Sequence, residues 1–237
     1  MIKRLLAVVF ILPVFSVAQP IYGDDAATAI PQEVDSLYRE DQFYVGLSFN
    51  LLTNHPKEFN QNGFSGGIHA GFLRDMPINK RRNKAFGIGL GVSANTYNTN
   101  QFIGETQNGI SQFEILDPTA AVNTNRFNTT LVELPVQYRW RTSTATNFNF
   151  WRVYTGFKLG YIFRHKAVFE SPDQSLTRTN VAELDRWRYI LTLSVGNGSF
   201  NAFVQYHLNP LFAPVNEQVF NVPDFRPLKF GIEFYIL

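Results

Sequence analysis

The side chains best equipped for chemistry lie within apolar stretches, on every second position. They are Glu133, Lys158, Arg188, Lys229 and Glu233, together with His69 and His207. Acids and bases withdrawn from water need partners, so this set predicts ion pairing in an enclosed interior. Nucleophilic catalysis would require a serine within hydrogen-bond reach of a histidine. His55 and His165 fall in connections between apolar stretches, and Ser194 and His207 share the same inward face. None of these histidines stands on an apolar face beside a serine, where a lipid substrate would arrive. No metal-ligand spacing occurs, and the chain has no cysteine for thiol chemistry or disulfides. A non-enzymatic protein without cofactor or metal is therefore expected.

The stretches that position these residues alternate with a period of two, which is the signature of strands. Strands are predicted over Phe43–Leu51, Phe64–Leu73, Ala85–Asn95, Thr129–Arg141, Trp151–Phe163, Trp187–Val195, Phe200–Leu208 and Leu228–Leu237. The last sets Leu228, Phe230, Ile232, Phe234 and Ile236 against Lys229, Gly231, Glu233 and Tyr235, and the sequence stops on an apolar residue. About ten residues suffice for a tilted strand to cross a bilayer. The predicted fold is all-β, an eight-stranded antiparallel up-and-down transmembrane β-barrel, with apolar faces outward and a packed, ion-paired lumen. Gly87, Gly89 and Gly91 are expected to leave room for long Arg or Tyr side chains opposite. Pro135 cannot donate to a ladder and predicts a bulge. The soluble alternative, a lipocalin-like barrel or sandwich, would turn the apolar faces inward and leave Lys158, Arg188, Lys229 and Glu233 outside.

Residues 1–18 read as a secretory signal: Lys3 and Arg4, then an apolar run, then Ser16-Val17-Ala18 before Gln19. Residues 19–41 form an expected periplasmic segment with a short helix from Pro31 to Glu40, and 42–237 the outer-membrane barrel domain. Removing Lys3 and Arg4 from 21 basic residues leaves 19, equal to the 19 acidic ones. That balance gives no basis for a nucleic-acid partner. The 23 Phe, 10 Tyr and 3 Trp suit a surface facing lipid.

Connections alternate in length, with short ones at 74–84, 142–150 and 196–199 and long ones at 52–63, 96–128, 164–186 and 209–227. Short turns belong at the periplasmic end. That rim then carries Arg74, Lys80, Arg81, Arg82, Lys84, Arg139, Arg141 and Arg152 against Asp75. The N-terminal segment carries Asp24, Asp25, Glu33, Asp35, Glu40 and Asp41 against Arg39. The acidic segment is expected to fold onto the basic rim, or the rim to dock an acidic partner; the alternative is that it meets lipid headgroups. In the external loops, Phe102, Ile103, Phe113, Ile115 and Leu116 are available to pack or bind, and Asn180-Val181-Ala182-Glu183 could start a short helix. Asp35-Ser36-Leu37 resembles an O-glycosylation acceptor motif.

Leu131-Val132-Glu133-Leu134-Pro135-Val136, Val153-Tyr154-Thr155-Gly156-Phe157-Lys158-Leu159-Gly160 and Phe230-Gly231-Ile232-Glu233 resemble the PorT-like family of small outer-membrane barrels from Bacteroidota-type bacteria. The resemblance covers residues 42 to 237 and implies a bacterial outer-membrane location. The family's founding member is an accessory component of the type IX secretion system, while many relatives carry only a porin-family label. The expected function is that of a non-enzymatic accessory subunit of an outer-membrane machine, for secretion or for outer-membrane protein assembly. Its expected partners are outer-membrane lipid and a larger outer-membrane or periplasmic complex. The alternative is an autonomous small porin or ligand-binding barrel.

Overall fold

Alternation fixes that each strand has an apolar and a polar side; closure decides which is outside. The computed structural model describes residues 41–106, 110–142, 151–214 and 221–236. The strands are β1 (Gln42–Thr53), β2 (Gly66–Pro77), β3 (Lys84–Asn98), β4 (Gln101–Glu105), β5 (Ser111–Ile115), β6 (Thr124–Arg141), β7 (Trp151–Glu170), β8 (Ser175–Arg178), β9 (Trp187–Asn197), β10 (Phe200–His207) and β11 (Arg226–Ile236). Eight of them, β1, β2, β3, β6, β7, β9, β10 and β11, close into one antiparallel barrel. Each pairs with the next, and β11 returns to β1 in a register running from Phe43↔Ile236 to Thr53↔Arg226. All the expected barrel strands are present. The two that differ most are β6 and β7, which run on past the membrane to Thr124 and Glu170.

The outer wall is apolar, as expected, and the interior polar, which excludes the soluble alternative. Leu47, Ile68, Leu90, Val92, Leu191 and Leu193 are exposed outward, while Glu133, Lys158, Arg188, Lys229 and Glu233 are all buried. Aromatic pairs edge the aliphatic band on both sides. Phe43–Phe72, Phe86–Tyr138 and Phe200–Phe234 lie near the short turns. Phe49–Phe64, Phe49–Phe230 and Tyr161–Trp187 lie toward the long loops. Rings of this kind mark the two membrane–water interfaces. Phe43 and Phe49 stand on the same outward face of β1, about 20 Å apart along the strand, with Val45 and Leu47 between them.

The β9–β10 hairpin turns at Gly198 with φ +58°, a left-handed conformation that glycine adopts without strain. Three expectations change. The bulge lies between Thr130 and Leu131, not at Pro135. Pro135 instead interrupts the β3–β6 ladder, whose register holds from Ile88↔Val136 to Gly91↔Glu133 without pairs between. A missing N–H thus costs ladder bonds and no extra residue is inserted. The helix expected from Asn180 is absent: residues 182–183 turn and Leu184 bridges to Phe212, because a single turn does not sustain a helix. The 96–128 connection carries a hairpin of its own, β4 with β5. The leader at 1–18, the helix over Pro31–Glu40, the Ser36 motif and all of the 19–41 segment except Asp41 lie outside the described residues.

Candidate functional site

The lumen is filled at three levels. At mid-height Glu133 on β6 and Lys158 on β7 pair at 3.1 Å, both buried. The Ser93 hydroxyl donates to the other Glu133 oxygen at 2.6 Å. Glu233 on β11 accepts from the Tyr235 hydroxyl at 2.7 Å and meets His69 Nε2 at 3.0 Å. Tyr44 lies across this layer, its ring 5.5 Å from Lys158 Nζ. Its hydroxyl occupies the space a side chain at Gly91 or Gly71 would need, and Arg139 fills that beside Gly87. The expected role of the glycines holds at Gly87 and Gly91; Gly89 faces the backbone carbonyl of Phe72 instead.

Lys229 is buried in the same lumen, paired in register with Asn50 and Gln205, and makes no carboxylate contact among the described residues. Arg188 is also buried, but it ties down a loop: it donates to the carbonyls of Pro210 at 2.8 Å and of Asn209. Of the lumen residues expected to pair, Glu133 and Lys158 form a buried ion pair and Glu233 bonds His69 and Tyr235, whereas Arg188 and Lys229 enter no carboxylate pair among the described residues. His207 is buried with neither ring nitrogen bonded to a described residue.

The periplasmic mouth corrects the basic-rim reading. Arg139, Arg141 and Arg152 are not available to an outside partner, being essentially without exposed surface. Asp75 holds Arg139 at 2.8 Å and Arg141 through two bonds of 2.9 Å. Arg139 also donates to Gln42 and stacks on Tyr154, 4.4 Å from the ring centre. Arg152 donates to the Gly198 carbonyl. The cause is parity: these arginines occupy inward positions, so the first buried carboxylate within reach draws them across the opening. Arg74, Lys80, Arg81 and Lys84 remain exposed at that end, and Arg82 is half-buried in the β2–β3 turn with φ +55°. Asp41 folds onto this rim, accepting from Arg74 at 2.5 Å and from the Asp75 backbone N–H at 2.8 Å.

The external mouth is closed by an apolar cap drawn from all four long loops. Phe59, Ile103, Phe113, Val181, Leu184, Leu211, Phe212 and Phe225 pack over the inward ends Leu52, Tyr97, Phe127, Leu131 and Ile162. Of the loop residues singled out in the sequence, Ile103 and Phe113 belong to this cap, and Phe102 packs edge-on against Phe169 at 4.9 Å. Ile115, which packs against the cap, and Leu116 line a groove of about 850 Å³ beside it, with Glu58, Glu114, Asp117 and Asp224 around it. The Thr119 amide and hydroxyl hold the exposed Asp117 carboxyl below its ordinary pKa. No spacing in the sequence announces this groove, since its walls come from three separate loops.

Residues 23–213 match the family described as outer membrane protein beta-barrel domain. The chain belongs to that family. It is an outer-membrane protein, and β11, beyond the matched stretch, completes the barrel. The match supports a small outer-membrane barrel and not the PorT-like group in particular. Among solved structures, the attachment invasion locus protein Ail of Yersinia pestis, solved with the heparin analogue sucrose octasulfate, is 12% identical. The alignment covers 83% of this chain and 97% of Ail at a TM-score of 0.33. A chain from a study of the asymmetric conductivity of engineered proteins is 8% identical, covering 83% of this chain and 99% of that one at a TM-score of 0.21. No curated protein matches the chain.

Proposed function

We propose that this protein is a non-enzymatic, non-conducting accessory subunit of a larger outer-membrane assembly, of the kind that secretes or inserts proteins. One observation carries the reading: the lumen is occupied by Asp75 and its arginines below, by Glu133–Lys158 in the middle and by the apolar cap above. A barrel plugged in this way acts through its surfaces. Surfaces are available at the periplasmic rim, where Lys80, Arg81 and Lys84 stay exposed, and along the apolar outer wall. PorT-like barrels of type IX secretion are the nearest analogy for such a role.

Affinity purification of the tagged chain from native membranes in mild detergent, followed by mass spectrometry, tests the proposal. A larger barrel or a secretion component should be recovered in stoichiometric amount; the chain alone would count against it. Planar-bilayer recordings of the purified protein should show no conductance steps. The external groove favours a second reading, a ligand-binding barrel, because Glu58, Glu114 and Asp117 on its lining have no cationic partner among the described residues, and only Asp224 is paired, with Arg226 at 3.4 Å. Silent bilayers combined with recovery of the chain alone would move the assignment to that reading.

A further inference from the structure

The outer wall of a transmembrane barrel normally loses its charge where it meets lipid, and one sector of this wall breaks that rule just beyond the aromatic ring. At the bulge Leu131 pairs with Ile162 and Thr130 with Arg164, leaving Phe163 without a partner on β6. The extra residue reverses the alternation of β7, as bulges do. Phe163 and Arg164 both face outward, Lys166 follows, and His165 turns in to accept the Val181 N–H at 3.3 Å. Arg126 on β6 and Arg186, whose carbonyl accepts from Ile162, are exposed in the same sector. The nearby Asp185 is already engaged, by the Trp187 N–H at 3.0 Å and the Asn209 amide at 2.6 Å.

The register links this cationic group to an apolar depression of about 710 Å³ on the same wall. One row across the strands reads Leu47↔Ile68, Ile68↔Ala94, Ala94↔Thr130 and Thr130↔Arg164. The next reads Thr96↔Asn128 and Asn128↔Lys166. Small side chains at Ala94 and Thr96 form the floor and Phe64 the edge. The depression therefore begins beside Leu47 and Ile68, which face hydrocarbon, and ends on Asn128 and Thr130 of β6, the register neighbours of Lys166 and Arg164 on β7. The Thr96 hydroxyl donates to Asn128 Oδ1 at 2.8 Å, joining the two side chains across the wall of the depression.

We infer that this sector is a binding site for a phosphorylated lipid of the outer leaflet, of the lipid A type, with an acyl chain in the depression and phosphate on Arg164, Lys166 and Arg126. Cations just outside the hydrocarbon attract anionic headgroups, and guanidinium groups match phosphate oxygens in pairs. Lipid in the other leaflet would meet the opposite rim, and free phosphate would have no use for the depression.

Native mass spectrometry of the full chain in micelles, titrated with bis-phosphorylated lipid A and with the same lipid after phosphatase treatment, tests the site. The phosphorylated lipid should bind about tenfold tighter or more, given several cations at one headgroup. The triple variant Arg126→Ser/Arg164→Ser/Lys166→Ser should lose that preference, and Lys80→Ser/Arg81→Ser at the other rim should keep it. Ala94→Trp, which fills the depression from the lipid side, should weaken both lipids. Equal binding of the two lipids by the unaltered chain would overturn the inference without any variant having to fold. So would undiminished binding by Ala94→Trp.

Discussion

At the scale of single residues, Asp75 is the carboxylate on which the periplasmic mouth depends. Its two oxygens serve Arg139 and Arg141, and all three side chains are fully buried. Removing one member of a buried ion pair costs about 3–5 kcal/mol. Asp75→Asn should lower the urea midpoint of the detergent-solubilised barrel accordingly, whereas Asp117→Asn on the exposed loop should leave it unchanged. A midpoint for Asp75→Asn equal to that of the unaltered chain would mean the arginines are held by other groups. The alternation of β6 already assigned Arg139 and Arg141 to the polar face; what the pattern could not reveal is that Asp75 stands opposite. Polar positions near a strand end look the same in sequence whether they meet headgroups or close a pore.

At the scale of elements, the strands were legible because lipid imposes a strict requirement on every second residue. Each backbone group must be bonded within the barrel, and each outward side chain must tolerate hydrocarbon. Leu90 is 63% exposed at the middle of β3. Leu90→Arg should therefore destabilise the barrel by about 2–4 kcal/mol, measured as a shifted unfolding midpoint in lipid vesicles. Changing the exposed Arg126 to Leu should have little effect on the same midpoint. The bulge was not legible. Phe163-Arg164 reads as the end of a strand, and the reversed alternation beyond it becomes intelligible only once Thr130 is seen to pair with Arg164. The β4–β5 hairpin escaped for a related reason: its five-residue strands, Gln101–Glu105 and Ser111–Ile115, are too short to show a period against the polar residues around them.

At the scale of the whole molecule, two opposite solvation schemes meet in one chain. The barrel hides polar groups and shows apolar ones, and the cap above it reverses this like a soluble protein. Phe212 lies at the centre of the cap, 5.2 Å from the Phe113 ring and 5.3 Å from Phe127. Phe212→Ala should cost about 3–5 kcal/mol within that cluster, and the loss should be local. On intact cells the external loops should become sensitive to added protease, while the membrane strands keep their protection. Loss of the whole barrel would show instead that cap and barrel fold as one unit. The cap could not be foreseen from the loops taken singly, because each contributes only one to three apolar residues and the cluster exists only where they converge.

The meeting of first and last strands has a consequence for how any client could be handled. Barrels that pass cargo sideways into the bilayer part at this junction. Here Phe59 and Phe225 lock it from above with ring centres 4.5 Å apart, and the Thr53 hydroxyl bonds the Arg226 carbonyl at 2.9 Å. Below, Tyr44 and Tyr235 face each other across it. With eleven paired positions along it, the junction is a weld rather than a door, so on the proposed reading any client would travel through a neighbour.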